Sequence, residues 1–161
     1  ADIADAAGCS NATIHNHFPN ALPDILAAIS EDIIQNAHKQ FEKTSKDFSG
    51  IELVRSYFKT VGEHICDQAD VAVPSIAISV DLASQGSWFD RKIFNDCKEL
   101  FKEAKETEQI NGSHEQLASL THTFFQGALY SWALGSITSE EFLQMAMQSV
   151  DFAVSSCRGA A

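Results

Sequence analysis

The sequence predicts an all-α protein, and three observations carry that expectation. Apolar residues recur at three- and four-residue steps in one segment after another. Those segments are bounded by helix-capping residues, among them Ser10, Pro23 and the Thr138–Glu141 pair. The one stretch with strand-like alternation, SIAISVDL at 75–82, has no second strand to pair with. A lone strand leaves its backbone groups unsatisfied, so a helix is expected there as well.

Two short elements come first. Ile3–Ala7 is Ala-rich and ends at Gly8, and Ser10 stands where its hydroxyl can cap a second helix over Asn11–Phe18. A longer helix follows from Pro23, which suits a first helical turn, with Asp24 complementing the positive end of the helix dipole. Its apolar face is Ile25, Leu26, Ile29, Ile33, Ala37 and Phe41, Lys39 and Lys43 fall near its far end, and Ser49-Gly50 breaks the pattern. The next face is Val54, Tyr57, Phe58, Val61 and Ile65, and residues 70–74, ending in Pro74, are expected to interrupt it. After the 75–82 helix, Gly86 and Ser87 punctuate, and Trp88 to about Glu108 turns Phe89, Ile93, Cys97, Leu100, Phe101 and Ala104 inward. Asn111-Gly112-Ser113 reads as a turn. Leu117, Leu120, Phe124, Phe125, Ala128, Leu129 and Trp132 then form a wide apolar stripe closing at Gly135. The last helix opens with a capping box, Thr138 to Glu141, and buries Phe142, Met145, Ala146, Val150, Ala153 and Val154.

Composition narrows the function classes. With 161 residues the chain can bury one substantial core. No apolar run approaches the roughly 20 residues needed to span a bilayer. The four cysteines, Cys9, Cys66, Cys97 and Cys157, show no paired spacing, so reduced thiols and a cytoplasmic setting are expected, without a membrane partner. The net charge of −11 argues against generic nucleic-acid binding, and residues 1–38 carry five acidic residues but no Lys or Arg. No Gly-rich phosphate loop or catalytic grouping stands out, so no catalytic residue, enzyme activity, cofactor or metal is expected. His15 and His17 are two residues apart and cannot share a helix face as zinc ligands at i and i+4 do.

Helix, short turn containing Gly, helix is the helix-turn-helix arrangement, whose second helix enters the major groove of DNA. On that reading Ser10, Asn11, Ala12, Thr13, His15, Asn16 and His17 face outward as DNA-binding residues, while Ile14 and Phe18 pack inward. The run IADAAGCSNATIHNHFPN, followed by an amphipathic helix, resembles the DNA-binding motif of TetR-family transcriptional regulators. FFQGALYSWALGSITSEEF at 124–142 is similar to the last two helices of that family.

The resemblance implies a small helix-turn-helix domain at 1–42, with the family's first helix missing before Ala1, joined by a long helix to a ligand-binding and dimerisation domain at 43–161. It further implies a homodimer, a pseudo-palindromic double-stranded DNA operator and a small-molecule effector, largely apolar, that releases a repressor. The expected effector-binding residues are Phe58, Val61, Ile65, Trp88, Phe89, His122 and Phe125, although aromatic residues in such numbers are also ordinary core, and a satisfied core histidine is the default for His122. The expected dimer residues are Leu129, Tyr130, Trp132, Phe142 and Met145, with the alternative that Tyr130 and Trp132 close the protomer's own core.

Three departures subtract positive charge or a phosphate contact: His15 stands where the family has a Tyr, Asn11 where Lys is frequent, and Ala21 where a Lys often follows the closing Phe-Pro. They motivate an alternative, a helical dimeric module that binds a ligand or protein and has lost DNA binding.

Overall fold

The computed structural model describes residues 2–81 and 88–158, with side chains described for 3–78 and 92–157. The described residues form eight helices and no strand: α1 (Asp2–Ala6), α2 (Asn11–His17), α3 (Leu22–Thr44), α4 (Gly50–Asp67), α5 (Ala69–Asp81), α6 (Trp88–Thr107), α7 (His114–Ala133) and α8 (Ser139–Arg158). The all-α expectation is met. No described helix is long and apolar enough to cross a membrane.

Helix α4 is the axis of the body. Val54, Tyr57, Phe58, Val61 and Ile65 recur on one face and all are fully buried. Around that face pack α3, α6 and α8, and α7 lies against α5, α6 and α8. A chain of six rings threads the core: Phe41, Tyr57, Phe58, Phe125, Phe142 and Trp132, with successive centroids 5.1–5.6 Å apart. Edge contacts dominate at the start, where Phe41, Tyr57 and Phe58 meet near perpendicular, and the chain ends in a stacked Trp132–Phe142 pair. Such geometry suits the aromatic quadrupole and adds to simple area burial.

The caps act where the sequence places them. Ser10 Oγ accepts from the Thr13 N–H at 3.1 Å, capping α2. In the Thr138–Glu141 box, Thr138 N–H donates to Glu141 Oε2 at 2.7 Å and Glu141 N–H to Thr138 Oγ1 at 3.2 Å. Gly135 takes a left-handed φ of +73° beyond the end of α7. At the start of α4, Gly50 has φ +58° and a Cβ there would collide with the Glu108 carboxylate, which accepts from the Ile51 N–H at 3.1 Å. Glycine is favoured here by its backbone angle, and a larger residue would also displace the Glu108 carboxylate from its bond.

Two expectations need correction. Residues 70–74 do not interrupt the helices: the break falls at Gln68, and α5 runs straight through Pro74. Proline at the sixth position of α5 withholds its N–H from the Asp70 carbonyl one turn back, and beside it Ser75 Oγ donates to the Val71 carbonyl at 2.7 Å. The inward face of α3 also includes Ile34, 2 % exposed, whereas Ile25 and Ile29 are only half-buried. The punctuation expected at Gly86 and Ser87 lies outside the described residues.

Candidate functional site

The α1–turn–α2 unit is held by short-range bonds. Cys9 N–H reaches the Ala4 carbonyl at 2.9 Å, and Gly8, at φ +64°, lets the chain reverse between the helices. Ala4, 2 % exposed, is the buried contact of this small unit. All seven expected DNA-binding residues, Ser10, Asn11, Ala12, Thr13, His15, Asn16 and His17, are exposed, and Ile14 and Phe18 are half-buried beneath them. The Ser10 and Thr13 hydroxyls bond to each other at 2.9 Å, which fixes the first turn of the helix.

No Cα of α1 or α2 approaches within 8 Å of a Cα in α4–α8, so α3 is the covalent lever between this unit and the body. The acids near the lever are engaged by neutral partners. Asp24 accepts from the Asn20 N–H at 2.8 Å, Glu31 from Gln35 at 3.0 Å and Asp32 from Asn36 at 3.1 Å. Those bonds orient the carboxylates but leave their charge in place, and no Lys or Arg in residues 1–38 offsets it.

The expected effector residues divide into three groups. Phe58, Val61, Ile65 and Phe125 come together, at most 1 % exposed, as packed core, with the Phe58 and Phe125 rings 5.1 Å apart. His122 is half-buried and meets Phe94 edge-on at 5.8 Å. The side chains of Trp88 and Phe89 lie outside the described residues.

An open groove of about 340 Å³ instead lies on the outer side of α4, among Thr44, Phe48, Arg55, Lys59, Thr60 and Met147. Its charges are paired, Arg55 with Glu52 and Asp151, and Lys59 with Glu63 at 3.3 Å. These residues read in sequence as a solvated helix face. The end of α3, the Phe48 loop and Met147 of α8 wall the groove against α4, and no local pattern announces that.

The expected dimer residues divide by burial. Leu129, Trp132 and Phe142 are 2 %, 7 % and 0 % exposed and close the protomer's own core, where Trp132 Nε1 donates to Ser139 Oγ at 3.0 Å. A side chain already enclosed cannot offer a docking face. Tyr130 and Met145 are half-buried, and Tyr130 OH accepts from Gln126 Nε2 at 2.9 Å. On the outer side of α7 and α8, Phe152, 47 % exposed, lies against the half-buried Phe124, their rings 5.3 Å apart. Beside them Gly127 is exposed, with open space where a Cβ would stand.

A polar hub missed from the sequence joins three helices. Asp96 on α6 accepts from Tyr57 OH of α4 at 2.9 Å and from Lys92 Nζ at 3.0 and 3.1 Å, and His38 of α3 stands 3.5 Å away. Burial, with the Asp96 charge beside it, pushes the Tyr57 hydroxyl well above the ordinary tyrosine range, so it remains a donor. Burial likewise raises the Cys97 thiol, which makes it an inert core residue. Among the described residues no three His, Cys, Asp or Glu side chains converge as a metal site would require. Comparison with protein-family models, with curated proteins and with solved structures returns no match.

Proposed function

We propose that this chain is a ligand-responsive DNA-binding transcriptional regulator of the TetR type, a repressor that acts as a homodimer. One observation carries the reading: a capped α2 presents six polar or small residues to solvent, with Ser10 at its N-cap, after a glycine turn, at the tip of a lever rooted in a packed body. A helix built for a core would bury at least one apolar residue, and α2 buries none. Asn11, Thr13, His15 and Asn16 supply hydrogen-bonding groups for base edges and phosphates.

Two such helices in a dimer would meet half-sites about 34–36 Å apart. The outer pair Phe124 and Phe152, with Gly127 allowing close helix approach, is the face on which the second copy would sit. A small, largely apolar effector binding the C-terminal domain would favour a spacing of the reading helices unsuited to DNA. By linkage DNA would weaken effector binding by the same factor.

The second reading, a dimeric helical module without DNA binding, is favoured by the absence of Lys and Arg from residues 1–38. A mobility-shift titration against DNA flanking the protein's own gene separates them. A retarded band at low salt that weakens as salt rises supports the regulator. Free DNA throughout, with a folded dimer in the same sample, supports the module.

A further inference from the structure

The open groove on the outer side of α4 is lined by two apolar side chains from outside that helix. Phe48, 45 % exposed, stands on the loop after α3, and Met147 comes from α8. The groove holds about 340 Å³, within the roughly 300–1,000 Å³ of small-molecule sites. Its floor is one stripe of α4 at helical spacing, from Arg55 and Ser56 through Lys59 and Thr60 to Glu63.

The polar groups of the groove fall into two kinds. The charged ones are committed, Arg55 to Glu52 and Asp151, and Lys59 to Glu63. The two cations and two carboxylates that line the groove balance, so a ligand of either net charge meets its like beside its opposite. The neutral groups are uncommitted. The Ser56 and Thr60 hydroxyls, one turn apart on α4, and the Gln40 amide of α3 make no hydrogen bond among the described residues. Thr44, by contrast, spends its hydroxyl on the Gln40 carbonyl at 3.1 Å. A hydroxyl both donates and accepts, so Ser56 and Thr60 together match a group that does the same.

We propose that this groove is a binding site for a small uncharged aromatic alcohol, its ring against Phe48 and Met147 and its hydroxyl exchanging hydrogen bonds with Ser56 and Thr60. An aromatic body is favoured because a phenylalanine ring and a thioether both make specific contacts with a ring beyond plain area burial. Phe58, Val61 and Ile65, the expected effector residues of α4, are buried on the other side of that helix, so the groove is a separate site. Gln40 and Thr44 belong to the end of α3, so an occupant also touches the root of the lever. Binding there does not depend on whether α2 reads DNA.

The test is a methyl NMR titration of the full chain with 4-methylphenol at about pH 7, where a phenol keeps its proton. The chain has two methionines, and Met145 does not line the groove, so its methyl signal is an internal control. The Met147 methyl should shift saturably while Met145 stays in place. Toluene, the same body without the hydroxyl, should bind about fivefold more weakly, the worth of one net hydrogen bond. Benzoate should bind no more tightly than toluene. Ser56→Ala combined with Thr60→Val removes both hydroxyls and should bring 4-methylphenol to the affinity of toluene. No saturable shift at Met147, an equal shift at Met145, or tighter binding of benzoate than of 4-methylphenol overturns the proposal. So does a preference for 4-methylphenol that survives the double variant. Should that variant fail to fold, the wild-type comparison decides, and equal affinities for 4-methylphenol and toluene overturn the site.

Discussion

Replacing Asp96 removes the acceptor on which α3, α4 and α6 converge. Asp96→Ala strands the Tyr57 hydroxyl, which belongs to a fully buried side chain and has its described hydrogen bond with Asp96. Losing a hydrogen bond to a charged acceptor costs about 1.5–3 kcal/mol, and leaving a buried hydroxyl without a partner costs about 1–3 kcal/mol. Because these overlap, the expected loss is about 3 kcal/mol. Lys92 adds little, since it is 35 % exposed and can turn to water. Tyr57→Phe removes the donor instead, and Asp96, 18 % exposed, keeps Lys92. That variant should lose only about 1 kcal/mol. Asp96→Asn retains an acceptor and should fall between the two. Urea unfolding followed by tryptophan fluorescence is a suitable assay, because Trp132 leaves a stacked, buried site on unfolding. The coupling between Tyr57 and Asp96 from the double variant should be about 1–2 kcal/mol. A Tyr57→Phe loss equal to that of Asp96→Ala would refute the asymmetry, and coupling near zero would refute the hub.

Other perturbations probe separate parts of the structure. Because the Tyr57 hydroxyl is raised above its unfolded value, the stability it contributes is complete below about pH 10 and is lost as pH climbs through the folded value. Tyr57→Phe should flatten alkaline unfolding, with the residual decline assigned to Cys97, which shifts in the same direction. Ser10→Ala deletes the cap of α2 and should cost about 1 kcal/mol locally, seen as faster amide exchange in residues 12–17 and, on the proposed function, as about fivefold weaker DNA binding. At Gly62 a new Cβ would lie 2.9 Å from Leu143 Cδ2, a movable side-chain end, so Gly62→Ala should be tolerated. Gly62→Val, which also presses toward Phe142 and Ala146, should lower stability by about 2 kcal/mol or more, measured by thermal unfolding. On the proposed dimer, Phe152→Asp should give a folded monomer in sedimentation, and a mass unchanged from wild type would count against Phe152 at an interface.

The elements with local signals were the ones legible in the sequence. Ser10, Pro23, Gly50, Gly135 and the Thr138–Glu141 box mark helix ends through chemistry confined to a few neighbouring residues, and the structure uses each of them. Pro74 misled because a proline forfeits only its own bond to the turn before it, and α5 continues through that single loss. The exposed row on α2 was also legible, since a short helix with polar residues over one apolar side has a single way to pack. The inward sides of α7 and α8 were legible as well, since Phe125, Leu129 and Trp132 and then Phe142, Ala146, Val150 and Ala153 recur at helical spacing and all are buried. Phe124, expected on that inward stripe, is only half-buried, against Phe152. The Asp96 hub was hidden, because Tyr57 and Asp96 are separated by 39 positions and meet only when α4 packs on α6.

The most direct test of α2 as a DNA-reading helix is the salt dependence of binding for wild type and Asn11→Lys, measured by fluorescence anisotropy on DNA flanking the gene. Asn11 is exposed at the start of α2, where an added cation would reach a phosphate if this face docks on a duplex. The account predicts tighter binding by the variant and a log–log salt slope steeper by about 0.9, the signature of one more phosphate contact. Binding and slope unchanged by the new lysine would contradict it, because that helix would then not face DNA.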